Sequence, residues 1–384
     1  MIAIVQKDDG AYGSICQHGQ GQMAEGQAMA LTHMIEASPI ADRYARGWHC
    51  LGLAADYHDG KPHTLNAFGS RLVAYLGEDG QVHILDSYCL HMGADLSRGQ
   101  VRGNSVVCPF HAWSWGADGK CNNIPYCERI PPKARVKSWP TCEQNKLLFV
   151  WNDPEDSPPP PEVSIPLIDA CFSDKWSDWV IEKWTINTNC RELIDNVADM
   201  AHFPVVHGAP VDYFANIFQG HKATQIMIGK GTQGNQGSLA TCATYFGPAY
   251  QITEMKGEMG GFPIDSILLN CHVPIHLKCF DLRFGMIVRK MEGLSDEMSR
   301  QIVDAYIKGI QQGFYQDVAI WDNKVRIDNP LLCAGDGPIY RLRKWYRQFY
   351  QDAAEVPEEV RKRQVVELNA GVPDPPLPHH VFED

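Results

Sequence analysis

The sequence predicts an α+β protein built in two parts: a small antiparallel β domain, then a larger domain that mixes sheet and helices. Three observations predict it. From Trp48 to Trp151, short alternating apolar runs are separated by turn residues. A run of four prolines, Pro158 to Pro161, then interrupts the chain, and polyproline cannot continue a strand or a helix. Beyond it, strand-like runs are followed by one long stretch with helical apolar spacing.

Taken in order, residues 1–41 are rich in Gly, Gln, Ala and Met and read as an N-terminal extension. Residues 42–152 form the β domain, with runs Arg71–Tyr75, Val82–Leu85, Ser105–Cys108 and Leu147–Trp151. Gly77-Glu-Asp-Gly80 and Ala117-Asp-Gly119 supply turns between them. Residues 153–161 are the proline-rich linker, and 162–384 the second domain. There a helix is expected over 188–203 and strands near 224–228, 239–246, 265–273 and 282–289. A helix over 295–325 carries the stripe Val303, Ile307, Ile310, Phe314, Trp321, close to 3.6-residue spacing. Charged helical stretches and a Pro-rich tail end the chain.

Composition excludes several function classes. A net charge of −12 over 384 residues repels phosphates, so neither nucleic acid nor an anionic membrane is expected as a partner. No apolar run reaches the roughly 18 residues of a membrane span. The 13 cysteines are odd in number, in a long chain whose opening residues MIAIVQKDDG lack a basic stretch followed by an apolar one. Free thiols in a reducing, cytoplasmic setting are expected.

Two motifs carry chemistry. The first is Cys89-Leu-His91 followed by Cys108-Pro-Phe-His111. Two thiolates can hold one iron of a [2Fe–2S] cluster and two imidazoles the other, and neutral His in place of anionic Cys raises the reduction potential. A structural zinc site also uses Cys₂His₂, but more often pairs ligands of one type, so the interleaved order favours the cluster. Trp113 and Trp115 follow at once and can shield it from water.

The second motif is Asp199-Met-Ala-His202-Phe-Pro-Val-Val-His207. Two His and one distant carboxylate would hold an O₂-activating iron(II) with open positions for substrate. On an ideal helix the two His point about 140° apart, so the helix must break between them, and Pro204 offers a reason. Asp199 lies one turn before His202 and can accept from the far nitrogen of a ligating imidazole. The third ligand is expected at Asp317, which sits in the apolar stripe, where a carboxylate is costly unless paired or metal-bound. Asp322 is rotated off that stripe toward solvent. His272 and His276 form a competing pair in a strand-like run without a nearby acid. Gly229-Lys-Gly231-Thr-Gln-Gly234 matches a dinucleotide fingerprint in form only. No helix follows it, so a hairpin turn is expected and nicotinamide would bind elsewhere.

In the order of these motifs the chain resembles the Rieske non-haem iron oxygenases. More narrowly it is similar to the oxygenase components of 3-ketosteroid 9α-hydroxylases, through Arg43–Gly52, Ile124–Pro132, Phe218–Gln225 and Arg326–Cys333. The resemblance implies a Rieske domain joined to a helix-grip catalytic domain, and a homotrimer in which the cluster of one subunit faces the iron of the next. It implies that Asp199 bridges electrons, that His202, His207 and Asp317 hold iron, and that Tyr245, Asn270, Phe314 and Trp321 line the substrate pocket. It also implies electrons from NADH through a separate flavin and [2Fe–2S] reductase, and monooxygenation of a steroid ring carbon, C9 of a 3-keto-4-ene steroid. A second reading keeps the oxygenase but makes it a sterol desaturase, or a hydroxylase of another terpenoid or bile-acid-like substrate. The chain departs from the family at Phe203-Pro-Val-Val206, where bulky, often aromatic residues are usual, and in its longer N-terminal extension.

Overall fold

The computed structural model describes residues 43–230, 237–259, 262–291 and 293–368. The expected N-terminal extension, the Pro-rich tail and most of the glycine-rich match beyond Lys230 lie outside them. Gly229 and Lys230 end a strand, Lys222–Lys230. Apart from Arg326–Pro330, where Arg326 Nε donates to Asp328 Oδ1 at 3.0 Å, the described residues belong to one compact unit.

Strands before Asp153 make three small antiparallel sheets. In one, Leu147–Asn152 lies between Gly47–Leu53 and Thr141–Gln144. All six residues of Leu147–Asn152 are buried, because both faces of this strand are covered. The strands Gly47–Leu53 and His63–Ala67 were not expected from the sequence; their apolar alternation is broken by His, Gly and Asn.

Strands after Trp179 form a single eight-stranded antiparallel sheet. Its order is Val180–Ile186, Cys279–Val288, Phe262–His276, Tyr250–Met259, Ser238–Phe246, Lys222–Lys230, Val211–Gln219, Gln364–Glu367. The edge strand Gln364–Glu367 replaces part of the helical C-terminal stretch expected from charge pattern alone. Period-two alternation gives the sheet two faces. Tyr250, Ile252, Ile267, Leu269 and Ile287 pack with Trp48, Phe149 and Trp151. The alternate residues Gln251, Thr253, Leu268 and Asn270 face a cavity against the long helix.

That helix spans Asp296–Trp321, shorter at its C-terminal end than expected, and Ser295 caps it by accepting from Met298 N. Its N-terminal half packs Val303, Tyr306 and Ile307 onto Met255, Met286 and Val288. Its C-terminal half packs Val318 and Trp321 onto Ile186, Phe280 and Leu282.

The expected helix over 188–203 is instead three short pieces: Arg191–Ile194, Asp195–Val197 and His202–Val206. Pro204 does not break the last one. It lies in the first turn, where no N–H is needed from it. The turn ends at His207, and Gly208 follows at φ 63°, a left-handed conformation that favours glycine. His202 opens the turn and His207 closes it, so both can face one point without a proline kink.

Candidate metal centres and cavity

The Cys89 and Cys108 loops are built alike. Gly93 N donates to Cys89 O at 2.8 Å, and Ala112 N donates to Cys108 O at 3.1 Å. Gly93 and Ala112 both take left-handed φ, 77° and 58°. Each tight turn holds a buried thiol at its start and projects a His from within it. The His91 and His111 rings lie 4.6 Å apart, and Trp113 stacks on His91 at 4.5 Å. Trp113 is held there by donating Nε1 to Tyr126 Oη at 2.7 Å. Burial pushes the Cys89 thiol above its ordinary range, and the neighbouring Cys108 thiol adds to this.

The arrangement fits a two-iron cluster. Nδ1 of both His91 and His111 is buried without a hydrogen-bond partner, a cost that metal ligation removes. One tetrahedral zinc would draw its ligand atoms within about 4 Å of one another. Among the described residues, no three of these four side chains gather within 4.8 Å, as two separate irons allow.

His202, His207 and Asp317 do gather, with one ligand atom each inside 4.8 Å. His207 Nε2 lies 3.3 Å from Asp317 Oδ2, and the two imidazoles sit 5.3 Å apart at 80°. Asp317 is only 6% exposed. His202 Nδ1 donates to the main-chain carbonyl of Asp199 at 2.6 Å. A carbonyl only accepts, so Nδ1 carries the proton and Nε2 keeps its lone pair for a metal. The expectation placed this contact on the Asp199 carboxylate. That group instead accepts from the His202 backbone N–H at 3.2 Å, with Oδ2 3.9 Å from the ring. Burial raises the Asp199 carboxyl above the usual carboxylate range, against the lowering effect of His202. Burial lowers His202, opposed by Asp317 and Asp199. Burial also pushes His207 down, but the Asp317 carboxylate more than offsets this and its pKa is raised.

Sequence reasoning missed Gln316, whose Oε1 accepts from His207 Nδ1 at 3.3 Å and so turns Nε2 toward Asp317. It also missed the ion pair of Arg343 with Asp195, which holds the segment leading to Asp199. Asp322 is exposed as expected, although Oδ1 accepts from Asn187 N at 2.9 Å. His272 and His276 do not form a site. His272 is buried beside Phe280, and His276 is exposed.

The triad opens into a cavity of about 530 Å³. Tyr245, Asn270, Phe314 and Trp321 all line it, as do Gln251 and Phe284. The departure at Phe203–Val206 is split by the structure: Phe203 lines the cavity, whereas Val205 is 83% exposed. No helix among the described residues is long and apolar enough to cross a membrane.

The chain is similar to known proteins along most of its length. The family described as Rieske [2Fe-2S] domain matches residues 47–140, and 3-Ketosteroid 9alpha-hydroxylase C-terminal domain matches residues 150–350. The oxygenase component of 3-ketosteroid-9-alpha-monooxygenase from Rhodococcus rhodochrous is 48% identical over 350 residues, covering 89% of this chain and 92% of the relative. Its counterpart from Mycolicibacterium smegmatis is 46% identical over 344 residues, covering 87% and 90%. The crystal structure of dicamba monooxygenase bound to dicamba superposes with a TM-score of 0.65 at 18% identity, covering 81% of this chain and 98% of that one, and shares the fold. Rieske oxygenases carry a [2Fe–2S] cluster and a mononuclear iron, and both donor sets found here fit them. With a Cys–His loop pair that fits a two-iron cluster, a His–His–Asp triad on a large apolar cavity and relatives matched over most of its length, the chain belongs to the Rieske oxygenases, in the family of the 3-ketosteroid 9α-hydroxylase oxygenase components.

Proposed function

We propose that this chain hydroxylates a 3-keto-4-ene steroid at C9, as the oxygenase component of a multicomponent monooxygenase fed from NADH through a flavin and [2Fe–2S] reductase. The observation that carries the reading is the 530 Å³ cavity with His202, His207 and Asp317 in its wall and Phe284, Phe314 and Trp321 beside them. It lies within the range of ligand pockets and is predominantly apolar. In this reading residues 42–152 are the electron-accepting domain, 153–161 the linker and 162–384 the catalytic domain. Cys89, Cys108, His91 and His111 would hold the cluster, and His202, His207 and Asp317 the mononuclear iron. Bound there, these groups supply electron storage and O₂ activation.

The chain's own residues do the rest. The Asp199 carbonyl and Gln316 fix the tautomers of His202 and His207, so that both present Nε2. The aromatic wall binds fused rings and excludes water. Asn270 and Tyr245 meet a substrate oxygen at the same end of the sheet, both flanking Gln251 across the strands. In this reading Asp199, with its side chain 35% exposed, would carry an electron from a neighbouring subunit's cluster in a homotrimer. The described cysteines form no disulfide, which supports the cytoplasm as the working compartment.

A single turnover tests the reading. The iron-loaded protein is reduced anaerobically, mixed with androst-4-ene-3,17-dione and exposed to O₂, and the steroid is analysed by mass spectrometry and NMR. The expected product is the 9α-hydroxysteroid. Reoxidation of the cluster with the steroid recovered unchanged would overturn the substrate.

A further inference from the structure

The long helix lines the cavity with Ala305, Gly309, Gly313 and Asp317, each four residues after the last. Residues at that spacing share a helix face. The two glycines therefore lead toward the triad carboxylate, over about 12 Å of helix axis from Gly309 to Asp317.

Nothing in the fold asks for glycine at either position. Both lie inside the 26-residue helix Asp296–Trp321, with no left-handed φ. A Cβ built on either one would meet no heavy atom within 4 Å beyond its chain neighbours and the helix's own backbone. Glycine in a helix interior costs stability relative to alanine. What the glycines provide is space on the cavity side, at that cost.

A second, independent observation marks the same cavity as a ligand site. Asn270 is 8% exposed, and its Oδ1 has no hydrogen-bond partner. Gln251, 7% exposed, lies directly across from it on the neighbouring strand and lines the same cavity. Side chains paired across strands in this way are neighbours on one face. Two amides more than nine-tenths buried, one with an unpaired carbonyl, are costly unless something polar arrives to pair with them.

Resting on the steroid reading above, we propose that Gly309 and Gly313 are specificity-determining residues. They keep a flat slot open along the helix for a rigid fused-ring substrate, while the Gln251–Asn270 amide pair meets an oxygen borne on the end of the ring system, its amide N–H groups donating to a carbonyl and Asn270 Oδ1 accepting from a hydroxyl. Side chains at 309 or 313 would lift such a substrate off the helix and away from the triad. A flexible chain of equal volume would bend around the obstruction.

The test uses the holoenzyme and the variants Gly309→Ala, Gly313→Ala, Gly313→Leu and Gln251→Leu. Ligand-free Tm is measured, with Kd for androst-4-ene-3,17-dione and for phenanthrene, a flat hydrocarbon with no oxygen. The alanine variants are expected to melt no lower than the unaltered enzyme. They should bind the dione about tenfold more weakly, the weakening expected of one methyl group in a tight pocket, and Gly313→Leu should weaken it further. Gln251→Leu should weaken the dione and spare phenanthrene. A lower Tm in the alanine variants would make the glycines structural and overturn the proposal, as would an unchanged Kd in Gly313→Leu. If the unaltered enzyme binds no dione, the steroid reading fails and phenanthrene decides the slot. Binding that Gly313→Leu abolishes supports it, and no binding overturns it.

Discussion

Replacing Arg343 with Met tests what holds the triad segment in place. Arg343 donates through Nε to Asp195 Oδ1 at 3.0 Å and through Nη2 to Oδ2 at 2.6 Å, a two-pronged contact. The side chains are 15% and 11% exposed, so the pair is shielded from solvent. Asp195 O in turn accepts from Ala198 N and Asp199 N, at 3.0 and 3.1 Å, and so shapes the turn that leads to His202. Removing one partner of a buried pair strands the other's charge, at a cost of about 3–5 kcal/mol. Lys324 Nζ, 4.0 Å from Asp195 Oδ2, remains to soften this, which places the loss near the lower end, about 3 kcal/mol. For a domain of this size that lowers Tm by about 6–12 °C. Methionine keeps much of the aliphatic stem, so the effect reports charge rather than packing. The assay is thermal unfolding with iron counted per chain before heating. Arg343→Met should melt early and hold less mononuclear iron. Adding Asp195→Asn should recover part of the loss, because no charge is then stranded. A single variant that melts like the unaltered protein, or a double variant no better than the single, would refute the reasoning.

Three further outcomes follow from the same geometry. Asp317→Ala should retain the cluster and its colour but lose the mononuclear iron, seen as a fall from three to two iron atoms per chain by elemental analysis; an undiminished count would remove Asp317 from the ligand set. Asp199→Asn should keep both metal sites filled and the Asp199 carbonyl contact intact, yet stop multiple turnover; full activity would sink the bridging role. His272 and His49 are fully buried, and burial holds their pKa values at about 3 and about 4, below the ordinary 6.5. The unfolded chain then binds more protons from pH 6.5 down to about 4, so the stability these groups contribute is present above 6.5 and is lost as pH falls through that window. His272→Phe removes two buried ring nitrogens without partners, so Tm should fall less steeply between pH 6.5 and 4.5; parallel curves would contradict this.

The placement of the candidate ligand motifs was legible because their geometry is local. Cys89-x-His91 and Cys108-x-x-His111 each lie within one tight turn, so spacing alone brings a thiol and an imidazole to the same place. Asp317 was legible for another reason: a carboxylate inside an apolar helical stripe announces burial, and burial announces a partner. The path from Asp195 to His207 was not legible. Helical spacing and a proline suggested one long helix broken at Pro204, whereas the backbone forms three short pieces and turns at Gly208. The contact on His202 was also misassigned, because main-chain carbonyls leave no mark in a sequence.

By itself, then, the sequence determined which candidate side chains are present, their pairing within loops and the family whose chemistry they fit. Only the tertiary structure decided that Asp317 meets His207, that Gln316 orients it, that Arg343 anchors Asp195, and that Asn270 lies beside Gln251 across two strands. The physical reason is range. Residues within a turn are placed by backbone dihedrals that their own neighbours dictate. Residues far apart meet only through strand register and helix packing, which depend on how every apolar side chain in the sheet finds its place.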